Sequence, residues 1–207
     1  MSRKRNPRRR TVSRIDRSSS VRQSTQLTFE QLEARHLLAT FVVNSTADTV
    51  DSADGVVTLR EAITSSNDTT GADTITFDSS VFSSAQTIAL ASQLPDVTDD
   101  VTITGPGADL LTIDAGNGTD GEFGNGDGFR IVNINDDNDA NLIDVEISGL
   151  TLTGGDTDGF DAEDFGGAIN NVENLLITDS TITGNASGSG GGIASCLLYT
   201  SPSPRDS

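Results

Sequence analysis

Val145-Glu-Ile-Ser-Gly-Leu-Thr-Leu-Thr-Gly154 aligns with Leu175-Leu-Ile-Thr-Asp-Ser-Thr-Ile-Thr-Gly184 at an offset of 30 residues. A second pair, Gly166-Gly-Ala-Ile169 and Gly190-Gly-Gly-Ile193, repeats at an offset of 24. Periods of 20–50 residues mark architectures in which each repeat buries its apolar face only against its neighbours. Within the first copy, Val145/Ile147 and Leu150/Leu152 alternate with Glu, Ser or Thr. That two-residue rhythm belongs to strands with one buried face. Strands rather than helices in each period predict an all-β solenoid, a parallel β-helix. An antiparallel sandwich explains the strand spacing but not the offset repeats.

Working outward, short strands separated by Gly, Asp and Asn continue the pattern. Val101-Thr-Ile-Thr, Leu110-Leu-Thr-Ile, Phe129-Arg-Ile-Val-Asn-Ile, Leu142-Ile-Asp-Val-Glu-Ile, Leu150-Thr-Leu-Thr and Leu175-Leu-Ile-Thr each fit one strand. Stacking residues one period apart places Val101, Ile103, Val145, Ile147, Leu152, Ile177 and Ile182 inward. The stretch from Phe41 to Ser195 holds about five or six such coils, terminal cap included.

Composition is uneven along the 207 residues. Residues 1–40 carry a net charge of +7, residues 41–195 a net of −25, and the last twelve none, which accounts for the total of −18. All 21 glycines lie in the middle piece, which has no Lys and two Arg, Arg60 and Arg130. No apolar run approaches the ~18 residues of a membrane-spanning helix. Glycines without a three-residue period exclude collagen. Hydrophobic content of 34% with 4% aromatics is low for a globule packed around large side chains.

The start of the acidic piece has its own signature. Phe41-Val-Val-Asn-Ser-Thr-Ala-Asp-Thr-Val-Asp51, Val57-Thr-Leu-Arg-Glu-Ala-Ile63, Gly71-Ala-Asp-Thr-Ile-Thr-Phe77, Leu94-Pro95 and Ile103-Thr-Gly-Pro-Gly-Ala-Asp-Leu-Leu-Thr-Ile113 follow in register. Together they resemble the CSLREA module that opens many bacterial right-handed β-helix proteins. Val57 stands where that module has its cysteine, so any disulfide of relatives is absent here. Independently of the resemblance, Thr58 and Glu61 form a capping box, each side chain meeting an orphan backbone N–H at a helix start. Leu59, Ala62 and Ile63 give that helix one apolar face, suited to covering the open end of a strand stack. Arg60 reads as a solvated helix residue rather than a catalytic one.

Ahead of this lies a leader with nine Arg or Lys between Arg3 and Arg22 among Ser, Thr and Asn, a composition expected to be disordered. Block charge of this sign suits nucleic acid or anionic lipid. A secretory signal needs an unbroken apolar region, and Thr40 interrupts Leu37 to Val43. Arg9-Arg10 only echoes a twin-arginine start. Leu27-Thr-Phe-Glu-Gln-Leu-Glu-Ala-Arg-His-Leu-Leu-Ala39 resembles the LEPR-XLL segment near the N-terminus of large surface proteins of planctomycete-type bacteria. Leu32, Glu33, Arg35, Leu37 and Leu38 match, while Ala34 replaces the family's proline. Phe29, Leu32, His36 and Leu37 fall near one face of a short helix. His36 has no second His or Cys to share a metal with, once the tail is set aside.

That tail, Cys196-Leu-Leu-Tyr-Thr-Ser-Pro-Ser-Pro-Arg205-Asp206, ends the Gly-rich run abruptly. It resembles the in-frame translation of a transposase adapter used in preparing sequencing libraries, and is excluded from fold reasoning. The natural chain is then cysteine-free and is expected to run on past Ser195, as the front of a longer protein.

Aspartate carries the chemistry, with 22 between positions 41 and 195. Asp136, Asp137 and Asp139 form one cluster; Asp156, Asp158, Asp161 and Asp164 form another. Dense carboxylates around glycine can supply the oxygens that Ca²⁺ takes, which makes these seven the candidate calcium ligands. The second cluster lacks EF-hand spacing, and Gly124-Asn-Gly-Asp-Gly128 only partly echoes a Ca²⁺-binding nonapeptide. The alternative, favoured by composition, is that these residues solvate turns, since Asp and Asn suit left-handed positions. No catalytic residue and no cofactor other than Ca²⁺ is assigned. A lyase of pectate type would need a basic residue beside Ca²⁺, and glycoside hydrolysis two facing carboxylates that 27 acids cannot single out.

These readings divide the chain into a basic leader (1–26), a LEPR-XLL-like export or sorting segment (27–40), a CSLREA-like cap with the first coils (41–96), the right-handed β-helix coils (97–195) and the tail (196–207). The first functional class is a non-catalytic extracellular or cell-surface protein, associated with the bacterial outer membrane as stalk, adhesin or matrix component. Its expected partners are surface polysaccharide or other surface proteins; the body, strongly acidic, is not expected to bind nucleic acid. The second class is a carbohydrate-active enzyme, pectate-lyase-like or a glycoside hydrolase, with its catalytic coils further on.

Overall fold

Short runs of Val, Ile or Leu interleaved with polar residues build three of the four sheets among the described residues, and the fourth pairs Asp156-Thr157 with Ala186-Ser187. A computed structural model of the chain describes residues 38–118, 122, 124–125, 127–138, 140–157 and 165–195. The basic leader, the helix expected before Leu38, and the tail from Cys196 lie outside the described residues. In chain order the elements are β1 (Thr40–Val43), α1 (Leu59–Asn67), β2 (Asp73–Phe77), β3 (Gln86–Ala89), β4 (Val101–Thr104), β5 (Leu111–Asp114) and β6 (Val132–Ile134). They continue with β7 (Asp144–Ser148), β8 (Thr151–Thr153), β9 (Asp156–Thr157), β10 (Ile169–Asn171), β11 (Asn174–Thr178), β12 (Thr181–Ile182), β13 (Ala186–Ser187) and β14 (Ile193–Ser195).

Sheet A has the order β1-β2-β4-β7-β11, sheet B β12-β8-β5-β3, sheet C β14-β10-β6 and sheet D β13-β9. From β4 the chain visits A, B and C, then twice runs A, B, D and C. All pairings among the described residues are parallel, which removes the antiparallel sandwich. Val145 pairs with Leu175 and Leu152 with Ile182, the 30-residue offset of the sequence. Ile169 pairs with Ile193, the 24-residue offset. The return from Val101 to Val145 is longer, 44 residues, because Gly- and Asp-rich loops are inserted there without disturbing the register.

Pleating sends alternate side chains inward. Sheet A stacks Ile75, Ile103 and Ile147 beneath the half-buried Ile177; sheet B stacks Ile88, Ile113 and Leu152 beneath Ile182. Val132 and Ile169 do the same in sheet C. Each such side chain, buried, contributes roughly 1.5–3 kcal/mol. The expected inward set is buried or half-buried throughout. Outward positions form polar columns, as where the Asn170 side-chain amide donates to Asn133 Oδ1 at 2.9 Å. One corner after sheet A is left-handed in two successive visits, with Gly149 at φ 66° and Asp179 at φ 48°. Aspartate tolerates that conformation better than most side chains.

Helix α1 begins as its sequence requires. Glu61 N–H donates to Thr58 Oγ1, and Thr58 N–H donates to Glu61 Oε2 at 2.9 Å. Leu59 and Ile63 point into the interior, where they line a small apolar space with residues of three sheets, among them Ile103, Ile113 and Val132. The helix thus plugs the core and packs on β1 and β2.

Arg60 differs from the solvated residue read from sequence. Its side chain is 14% exposed, and Nε and Nη2 each donate to Asp48 at 2.8 Å. Its remaining donors reach the carbonyls of Ser92 and Gln93. The reason is positional: the helix lies across two loops, so this face meets protein instead of water.

Glu61 also accepts from the Asp51 N–H at 2.7 Å. The Thr58 and Asp51 amides hold its carboxyl below the usual range. A depressed carboxylate contributes stability that is present above its unfolded pKa and lost as pH falls through its folded value. In Glu61→Gln, the acid limb of stability against pH is therefore expected to become shallower, measured by urea unfolding between about pH 3 and pH 6. An unchanged acid limb would mean the capping box contributes nothing pH-dependent.

Candidate functional site

The starts of three sheet A strands form an acidic concavity. Asp100, Asp144 and Asn174 stack one above another in the position just before or at the first residue of β4, β7 and β11. Asp144 N–H donates to Asp100 Oδ1 at 2.8 Å, and the Asn174 side-chain amide donates to Asp144 Oδ1 at 3.0 Å. Glu146, two residues along β7, stands level with Thr102 and Leu176. These residues line an open groove of about 480 Å³. Sheet geometry sets neighbouring strands about 4.8 Å apart and alternate residues of one strand about 6.6 Å apart. The groove therefore presents three carboxylates, a hydroxyl and the exposed Leu176 as one wet, acceptor-rich strip. Neither arginine of the acidic piece lines it: Arg60 is bound to Asp48, and Arg130 donates to the carbonyls of Phe165 and Gly166.

The candidate calcium ligands divide. Asp139, Asp158, Asp161 and Asp164 lie outside the described residues. Asp136 and Asp137 share one turn, where Asp136 Oδ1 accepts from Asn138 N–H at 2.8 Å and Asp137, at φ 60°, exchanges hydrogen bonds with the Asn135 side chain. Such side chain-to-backbone bonds two residues on are what Asx turns are made of. Asp156 is elsewhere and fully buried, its Oδ2 accepting from Gly124 N–H at 3.0 Å and Asn125 N–H at 3.2 Å. Among the described residues, no group of three or more His, Cys, Asp or Glu is arranged to hold a metal ion.

Sequence reasoning missed three buried or nearly buried acids. Asp48 receives Arg60 and the Ala91 N–H. Glu173, 2% exposed, receives the N–H groups of Asp136 and Ile143 and so ties down the loop between them. Asp73, 1% exposed, enters the apolar column of Val101 and Val145. The signal for Asp73 was its place in the strand alternation, one step before Ile75.

The calcium reading has a direct test on the whole chain. Melting temperatures in millimolar CaCl₂ and in NaCl of equal ionic strength are expected to agree, since Asp136 and Asp156 already serve backbone amides, Asp137 already accepts from the Asn135 side chain, and simple screening acts equally in both salts. A rise with Ca²⁺ alone, lost in Asp158→Asn with Asp161→Asn, would make those two residues ligands.

No family model, curated protein or solved structure matches this chain. Among the described residues, no helix is long and apolar enough to cross a membrane.

Proposed function

We propose that this chain is a right-handed parallel β-helix that serves outside the cell or on its surface as a non-catalytic stalk, adhesin or matrix component. One observation carries the reading: successive returns of the chain pair in parallel at constant register while the intervening length ranges from 24 to 44 residues. A stack of that kind grows by adding repeats and needs no new core, which suits a rod. Parallel crossovers within one sheet are right-handed in about 98% of cases, which supports the handedness. The basic leader and the LEPR-XLL-like segment support export. Outward Thr, Asn and carboxylate columns offer rows of hydrogen-bonding groups to a surface polysaccharide or another surface protein. Cell fractionation with external protease tests it: the protein should be degraded on intact cells, and recovery of intact protein from the cytosol alone would overturn the reading.

The gathering of Asp100, Asp144 and Glu146 in one groove favours a second reading, a carbohydrate-active enzyme. Incubation with neutral and uronate polysaccharides separates the two. New reducing ends, lost in Asp144→Asn or Glu146→Gln, would establish the enzyme; retention on the polysaccharide without cleavage supports the first reading.

A further inference from the structure

Asp73 sits in a column of sheet A whose next two members are Val101 and Val145. It is 1% exposed; Oδ1 accepts the N–H of Ala39 at 2.8 Å, and Oδ2 has no hydrogen-bond partner among the described residues. A buried carboxylate oxygen left without a donor is costly, and a single neutral amide is a poor match for a full charge. The residue that supplies that amide stands at a boundary. Leu38 is 73% exposed, Thr40 begins β1, and the charge of the sequence changes sign just here. Leu38 also borders a hollow of about 490 Å³ with Thr70, Gly71, Asp99 and Asp100.

From these observations we propose that the Leu38–Ala39 bond is a proteolytic processing site and that Asp73 is the receptor for the N-terminus it frees. Water adds to the Leu38 carbonyl carbon, the C–N bond breaks, Leu38 departs as a carboxylate, and the Ala39 nitrogen takes up a proton to become an ammonium. That nitrogen already lies on Asp73 Oδ1, and with three N–H bonds in place of one it can serve both carboxylate oxygens. A cut one bond later would remove both the Ala39 amide and the Ala39 carbonyl that accepts from Thr74 N–H at 2.9 Å. Of the charged groups on neighbouring elements, Arg60 is bound to Asp48 and Glu61 to the Thr58 and Asp51 amides, which leaves Asp73, Asp99 and Asp100 on this side, all acids. The freed ammonium is the cation this corner lacks among the described residues. The cut also releases the +7 leader from the acidic body.

Three measurements test the proposal. Mass spectrometry of the mature protein from producing cells should find Ala39 first; a mature chain that retains residues 1–38, or begins elsewhere, overturns it. In the full chain with a site-specific protease sequence in place of residues 32–38, cleavage before Ala39 should raise the melting temperature by about 2–4 °C or more. Because the ammonium gains a partner, this rise is complete below the unfolded pKa of about 8 and is lost as pH climbs through the higher folded value. Asp73→Asn should abolish the rise. If that variant does not fold, acetylation of the freed amine in the unaltered chain gives the same answer, since the only lysine, Lys4, leaves with the leader and no other amine competes. A melting temperature indifferent to cleavage, or a rise that survives acetylation, overturns the proposal.

Discussion

Arg60→Ala is expected to lose about 3–5 kcal/mol of folding stability, because it strands a carboxylate that has little access to water. Asp48 is 4% exposed and its partner 14%, so solvent screens the pair weakly. The guanidinium is held at both ends: a two-point contact to Asp48 on one side, the carbonyls of Ser92 and Gln93 on the other. Through Asp48, which also receives the Ala91 N–H, it joins the loop before α1, the helix itself and the loop after β3. Arg60→Lys keeps the charge but cannot reproduce a planar fork, so it should recover only part of the loss. Denaturant unfolding of both variants and of Asp48→Ala, arranged as a double-mutant cycle, measures the coupling. A loss below about 1 kcal/mol would place the pair with ordinary surface ion pairs. Against a total stability of about 5–15 kcal/mol, the expected loss would unfold a large share of a marginal molecule.

Gly155→Ala is the second large effect. Gly155 lies between β8 and β9, and a Cβ there would overlap the carbonyl oxygen of Gly167 from the next side of the stack. The obstacle is backbone, which cannot rotate away. Gly155 is also fixed by its own bonds, its N–H donating to Asn185 Oδ1 at 2.9 Å and its carbonyl accepting from Ala186 N–H at 2.8 Å. Overpacking of this kind costs typically about 1–3 kcal/mol and more when nothing can yield, so the upper end or beyond is expected. Gly55→Ala makes the contrast, since its Cβ meets open space and it pays only for a left-handed φ of 77°, about 1–2 kcal/mol. Equal losses in the two variants would mean that close approach at Gly155 is not what sets the cost.

The repeat was legible because it is a matter of spacing. Val145 over Leu175 and Ile169 over Ile193 follow from offsets that any reader can count, and parallel pairing realises them residue for residue. The capping box was legible for a similar reason, being complete within four residues. Strand limits were less so: Leu142 and Phe129 continue an apolar run on paper, but β7 begins at Asp144 and β6 at Val132. Hydrophobicity marks where a strand could be, while the hydrogen-bonding partner across the gap decides where it starts. The acids were the least legible. Asp48, Asp73, Asp156 and Glu173 look like the other 23 acids of the middle piece, yet each is nearly or wholly buried. Their burial depends on amides and a guanidinium brought from 12 to 43 positions away by the fold, and no local pattern announces such a meeting. The groove lined by Asp100, Asp144 and Glu146 has the same origin, since Asp100 and Asp144 are 44 residues apart in the chain.

The constancy of that register has a mechanical consequence. In sheet A each strand is hydrogen-bonded only to the ones stacked directly before and after it, so tension applied to the chain ends would not strain the whole body at once. Layers would instead peel one after another. With 24 to 44 residues stored per layer and about 3.4 Å of contour per residue, each rupture would pay out roughly 80–150 Å of slack. Lengthening in such steps would absorb a sudden pull as work, layer by layer, and leave the remaining layers folded.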